Sequence, residues 1–396
     1  MIFEFISLSL IDEGIVQDDF EDWFETAGAM ARIYAEAYVV IGASASTDCT
    51  GGLHTKWERP SKEIIPGSRV FVQVLWAPPL FKLRDGTSFT ALPLFTRGWI
   101  YQERVMAQRF VHFVANRIVW ECPTRQTFPD RASSSKKVHS YPGYAYRYLN
   151  GQFDEYIIKG VEHGTPLGWH ATFEAYSSLQ LTFDKDRLPA VSALVRRELS
   201  TRRKNDEYVA GMWKATILED LGWYTLYRHA TRPEGSKIPS WSWASIRQAI
   251  TFTDHDNVLP RVKILDLSYE RIGPAHLGNV AKAALRIQAP TFTTYGITSI
   301  GSCGSGTSGE RLVDDLDPSN EHRFDILSAV VAPEALTDSS TTLLVALLYW
   351  HGITAHCGLI LRPLNMTEYE RIGFVMIYEV SGDFIRALPI STILIV

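Results

Sequence analysis

At 396 residues, with 46% hydrophobic and 21% charged side chains, the chain has an ordinary globular composition and length enough for two domains. Its formal net charge of −5 excludes a global basic field, so nucleic acid is not an expected partner. Cys49, Cys122, Cys303 and Cys357 form no C-x-x-C pair, which argues against a zinc ribbon and fits a reducing, cytoplasmic compartment. Glu4 interrupts the apolar start MIFEFISLSL, and the apolar run at 341–349 falls far short of the roughly 20 residues that span a bilayer. No membrane segment is expected.

In chain order, residues 21–37 form the first predicted helix, because Trp23, Ala27, Met30, Tyr34 and Ala37 recur at spacings of four and three. Residues 38–41 read as a short buried strand, followed by a loop of small residues from 42 to 52. A strand is expected at 70–76, stopped by Pro78 and Pro79. Thr96 is placed to cap a helix over 97–107, on which Trp99, Glu103 and Met106 share one face. A carboxylate on an apolar face calls for an explanation. Residues 111–114 and 117–121 then read as a hairpin around Ala115 and Asn116.

The polar stretch 124–151 reads as a linker or exposed loop between a first domain, 1–123, and a C-terminal region, 152–396. Two helices are expected at 173–181 and 188–199, with a turn at 184–187. Aromatic residues crowd 208–227. Trp241 and Trp243, taken as a strand, would place both indoles on one face, as core or as an interface. Beyond them the chain is mostly β, with strands expected at 262–269, 284–295, 324–331, 343–349, 359–361, 372–379 and 384–396.

The helix RGWIYQER with the following RFVHFVANRIVWEC resembles the end of the HET domain, the heterokaryon-incompatibility domain of filamentous fungi. The stretch DWFETAGAMARIYAEAYVVIGASASTDCTGGL at 22–53 resembles that family's helix, strand and small-residue loop, and PSWSWASI at 239–246 resembles a segment found after the domain. Ile11-Asp12 and Val16-Gln17-Asp18-Asp19 match the family's entry into its first helix, whereas Glu13-Gly14-Ile15 departs from it. The family's first strands and its Ser-Tyr-x-Trp-Gly-like loop do not occur upstream, so the domain is expected to be N-terminally incomplete. HET domains are similar to TIR domains, some of which cleave NAD with a helical glutamate in a Trp-x-x-x-Glu-type motif. Trp99 and Glu103 have that spacing.

The resemblance implies a partial TIR/flavodoxin-like α/β layer, followed here by an α+β, strand-rich C-terminal region. It implies fungal non-self recognition and programmed cell death, with Glu103 as the catalytic candidate and NAD as a substrate rather than a cofactor. Breaking the N-glycosidic bond builds oxocarbenium character on the ribose, which a carboxylate stabilises without a metal. Trp99, Ser44, Ser46 and Asp48 are the candidate ligand contacts. The bland reading of Glu103 is a partner of Arg97, Arg104 or Arg109, and that of the 44–52 loop is a surface turn. The alternative for the whole chain is a non-catalytic interaction and assembly module, or an inactive remnant, working as a homo-oligomer or with other incompatibility proteins.

Three further motifs carry less. Residues 304–309 match G-x-G-x-x-G, but Ser and Gly surround them and no βαβ unit follows, which favours a loop over a dinucleotide cradle. His351, His356 and Cys357 match no standard zinc spacing, so no metal is expected. Asn365-Met366-Thr367 fits a glycosylation acceptor, without consequence in a cytosolic chain.

Overall fold

The computed structural model describes residues 20–53, 61–63, 71–73, 92–114, 117–122, 125–127, 136–137, 166–200, 202, 206–225, 230–253, 257–295, 323–326, 342–351, 355–378 and 382–396. The chain divides into two compact units, one of Met1–Asp186 with Ala190–Thr201, the other of Arg187–Pro189 with Arg202–Val396. Both helices expected after residue 165 fall in the first unit, where the sequence reading had grouped them with the C-terminal region.

The first unit begins with α1 (Phe20–Glu36), which buries Ala27, Met30, Ala31 and Tyr34 along one stripe. Spacings of three, one and three keep those side chains on one face, as the periodicity requires. Strand β1 (Val40–Gly42) follows, and β2 (Ser61–Glu63) pairs antiparallel with β3 (Phe71–Gln73). A 3₁₀ turn at Pro93–Thr96 leads into α2 (Ile100–Met106), which is shorter than the expected 97–107. Thr96 does not cap it. Its hydroxyl donates back to the Pro93 carbonyl at 2.8 Å, and Gly98 N–H instead reaches the Gln180 carbonyl at 2.7 Å.

The hairpin forms as expected, with β4 (Phe110–Val114) antiparallel to β5 (Arg117–Cys122), while β1 joins β4 in parallel. Where a linker was expected, β6 (Arg125–Thr127) and β7 (Lys136–Lys137) extend the sheet to the order β1-β4-β5-β6-β7. Among the described residues the remaining pairs of this sheet are antiparallel, so the described part is mixed rather than the parallel layer of a flavodoxin-like fold. Helices α3 (Pro166–Ser177) and α4 (Ser192–Leu199) complete the unit, α4 packing against α1 and α2. Met30, Tyr34, Val40, Ile100 and Phe110 form a buried cluster with Leu94, Trp99 and Met106 against it. Each apolar side chain so buried stabilises the unit by roughly 1.5–3 kcal/mol.

The second unit opens with β8 (Tyr208–Val209), β9 (Met212–Trp213), α5 (Ile217–Asp220), β10 (Trp223–Tyr224) and β11 (Thr251–Phe252). Trp213, Trp241 and Trp243 are fully buried. Trp241 and Trp243 do not lie in a strand, because Trp243 starts a 3₁₀ turn whose Ala244 N–H is capped by Ser242 Oγ at 3.0 Å. Buried, their N–H groups need acceptors, and Trp243 Nε1 donates to the Gly211 carbonyl at 2.8 Å.

The remainder is an eight-stranded sheet. Its members are β12 (Asn257–Val258), β13 (Lys263–Arg271), β14 (Val280–Tyr295), β15 (Arg323–Ile326), β16 (Thr342–His351), β17 (Ala355–Pro363), β18 (Glu368–Tyr378) and β19 (Ile390–Ile395). Sixteen-residue β14 pairs with β19 through its middle and with β16 through its end, so β14, β16, β17, β18 and β19 close into a five-stranded barrel. Closure removes the edges that an open sheet must protect. At Gly358 a side chain would run into the Ala346 carbonyl of the neighbouring strand, so this close approach requires glycine.

The strand expected at 384–396 is corrected to α6 (Gly382–Ala387) followed by β19. Asp383 lies in the first turn of α6 and Pro389 lies beyond its end, so the helix starts and stops on ordinary signals that the apolar pattern masked. Strand β18 is joined through α6 to β19, and the two run parallel. Residues 304–309 and Asn116 lie outside the described residues.

Candidate functional site

Helix α2 presents its polar side chains in three directions, and each direction is set by a different neighbour. Toward α1, the Tyr34 phenol donates to the Glu103 carboxylate. Toward the stretch before α4, Trp99 Nε1 donates to Asp186 Oδ2 at 3.1 Å. Toward α4 itself, Gln102 Oε1 accepts the Ala193 N–H at 3.1 Å, which satisfies a free donor in the first turn of that helix. Gln102 and Glu103, successive residues of α2, point apart, toward α4 and toward α1, and Trp99 precedes the helix at its N-cap.

Glu103 is half-buried. Burial pushes its carboxyl up from 4.5 to about 7, against the opposing pulls of the Tyr34 hydrogen bond and the Arg97 charge. The other two arginines weighed as partners are engaged elsewhere, Arg104 over the Phe95 ring at 4.8 Å and Arg109 over Tyr38 at 4.7 Å. A carboxyl so placed exchanges its proton at neutral pH, the condition for acid–base work.

Ser44, Ser46 and Asp48 follow β1. Ser44 is fully buried, its Oγ 3.1 Å from His112 Nδ1 and 3.4 Å from the Gly42 carbonyl. His112 in turn stacks on Phe110 with ring centroids 4.2 Å apart. Ser46 N–H donates to the Ala43 carbonyl at 2.9 Å. Asp48 is exposed and closes an Asx turn, accepting Thr50 N–H at 2.9 Å and Thr50 Oγ1 at 2.6 Å, and these bonds hold its carboxyl below the usual range. The loop meets the approach to α2 at one backbone contact, Leu94 N–H to the Ser44 carbonyl at 3.4 Å. Trp99 packs against the buried cluster with its indole N–H on Asp186.

Tyr34, Gln102, His112 and Asp186 were not singled out from the sequence. Tyr34 was legible as a member of the α1 stripe, but the target of its hydroxyl depends on how α1 crosses α2. Asp186 is 83 positions from Glu103, and no local pattern ties it to Trp99. Burial raises the Asp186 carboxyl too. Among the described residues no group of three or more His, Cys, Asp or Glu is placed to hold a metal ion. His356 lies beside the Trp350 ring, and burial pushes the adjacent Cys357 thiol up to about 12, which makes it inert. No helix among the described residues is long and apolar enough to cross a membrane.

No curated protein and no solved structure matches the chain significantly. The family model described as heterokaryon incompatibility protein (HET) matches residues 12–103, a span that runs through α1, β1 and α2 and ends on Glu103. Over residues 12–103 the chain is therefore similar to the heterokaryon incompatibility (HET) family.

Proposed function

We propose that this protein is a fungal non-self-recognition effector that triggers programmed cell death by cleaving NAD, with Glu103 as its catalytic group in the manner of a TIR-like glutamate. The observation that carries the reading is the Glu103 carboxyl, half-buried on α2, facing Tyr34 and titrating near 7. In the reaction the bond between ribose C1′ and the nicotinamide nitrogen breaks, and neutral nicotinamide leaves with the bonding pair. The carboxylate stabilises the oxocarbenium ion that forms, and water adds to C1′ and gives its proton to Glu103. Products are nicotinamide and ADP-ribose. The test is NAD consumption by the purified chain at high protein concentration, beside Glu103→Ala, with the fold of both checked by circular dichroism. Turnover that falls to background in the folded variant is expected, and equal turnover in both overturns the assignment of Glu103.

A second reading, a non-catalytic module assembling with copies of itself or with other incompatibility proteins, is favoured by the 44–52 loop. There Ser44 is spent on His112 and Asp48 on Thr50. It expects no NAD loss in either protein and a molecular mass that rises with concentration in sedimentation.

A further inference from the structure

We propose that Asp186 is the positioning residue of α2, accepting the Trp99 indole N–H at the start of that helix and so fixing the backbone from which Glu103 projects. Its functional meaning rests on the catalytic reading of Glu103, while its geometry stands by itself. Helix α2 has seven residues, and its N-cap, Trp99, supplies no side-chain cap. An isolated helix needs roughly 12–15 residues to hold its shape in water, so one this short is placed by its surroundings. The holding groups come from beyond the span that the family model matches. Gly98 N–H donates to the Gln180 carbonyl at 2.7 Å and Gln180 N–H donates to the Thr96 carbonyl at 2.7 Å, which makes Arg97 and Gln180 a parallel bridge. The two stretches are in close contact there, since a Cβ on Gly98 would lie 2.5 Å from Leu181 Cδ2. With 180–186 so aligned, the 3₁₀ turn Asp184–Asp186 brings Asp186 Oδ2 to 3.1 Å from Trp99 Nε1. One turn further on, Gln102 Oε1 accepts the Ala193 N–H.

Asp186 is a poor choice for folding alone. It is 7% exposed, and its second oxygen, Oδ1, meets no hydrogen-bond partner among the described residues. Burying a carboxyl on so little destabilises the fold, and an apolar side chain of similar size would not carry that penalty. What the carboxyl provides is a fixed acceptor for Trp99. The indole packs against the cluster of Met30, Val40, Ile100 and Phe110, so with its N–H bonded at Asp186 it is held at both face and edge. Residue 99 is also the hydrogen-bond partner of the acid's own backbone, because Glu103 N–H donates to the Trp99 carbonyl at 3.5 Å. Holding Trp99 therefore holds the turn on which Glu103 sits.

The experiment follows indole N–H resonances and amide hydrogen exchange in the full chain, for the parent, Asp186→Asn and Asp186→Leu, with Trp99→Phe identifying the Trp99 signal. Asparagine keeps an acceptor oxygen in place, and leucine keeps the volume without one. In Asp186→Leu the Trp99 indole signal should move and the α2 amides should exchange about tenfold faster, while β4 amides keep their protection. Asp186→Asn should stay with the parent. Unchanged α2 exchange in folded Asp186→Leu overturns the proposal, and so does equal acceleration in Asp186→Asn, which would make the hydrogen bond irrelevant. Should Asp186→Leu unfold, Trp99→Phe removes the donor from the other side, and α2 exchange unmoved there overturns the proposal equally. NAD cleavage by the parent should fall in Asp186→Leu and return in Asp186→Asn, and undiminished cleavage in Asp186→Leu overturns the functional role. If the parent consumes no NAD, the catalytic reading of Glu103 fails, while exchange still decides whether Asp186 positions α2.

Discussion

Each unit withdraws a charge-bearing side chain from water, Arg371 in the second and Glu103 in the first, and the two are handled in opposite ways. In the second unit Arg371 is 2% exposed, and both terminal nitrogens of its guanidinium meet backbone carbonyls. It donates to the Leu221 carbonyl at 2.9 Å and to the Trp223 carbonyl, and it lies over the Trp223 ring at 3.8 Å. Burial still depresses it to about 9, but it stays a cation at neutral pH with its charge spread over backbone dipoles and a π face. In the first unit Glu103 receives one phenol and the charge of Arg97, and burial leaves it near 7. A buried cation that keeps its charge at neutral pH is a structural fastener, and a carboxyl raised to about 7 sits close to its proton equilibrium. That difference is why the acid, rather than the arginine, is the candidate for chemistry.

The largest effect that would break this comparison is at Arg371. Arg371→Met leaves the Leu221 and Trp223 carbonyls buried without their donor, and about 3–5 kcal/mol of stability should be lost in urea unfolding. A loss under 1 kcal/mol would mean that those carbonyls find other donors and that the arginine is not a fastener.

The next effect is a pH dependence of opposite sign in the two units. The folded value of Glu103 lies above its unfolded one, so stability falls as pH rises from 4.5 toward 7 and stays lower beyond. Asp186, also raised by burial, adds in the same direction. In the second unit burial lowers His356, so its contribution is intact above about 6.5 and is lost as pH falls below that value. Urea midpoints measured from pH 4.5 to 8 should show Glu103→Gln removing part of the alkaline decline, worth about 1–3 kcal/mol, and His356→Phe removing part of the acid one. Curves parallel to the parent in both variants would refute the assignments.

The smallest effect sharpens the same contrast from outside the core. Asp48 is exposed and, among the described residues, bonds within its own turn to Thr47, Thr50 and Gly51, so Asp48→Ala should leave the unfolding midpoint unchanged. A marked loss would show that this turn supports more than itself.

Local pattern determined much of what the structure contains. Spacing alone placed α1, because Ala27, Met30 and Tyr34 face one core. Two β-rich runs on either side of Ala115-Asn116 placed β4 and β5, and continuous apolar runs placed strands of the barrel. The Trp-x-x-x-Glu spacing on α2 singled out Glu103. Tertiary structure decided the rest, since each remaining feature joins residues far apart in the chain. Closure of the barrel depends on β14 being shared by β19 and β16, the fate of Ser44 depends on His112 arriving from β4, and the proton affinity of Glu103 depends first on its burial. Such outcomes depend on which groups lose water together, and no single stretch of sequence carries that information.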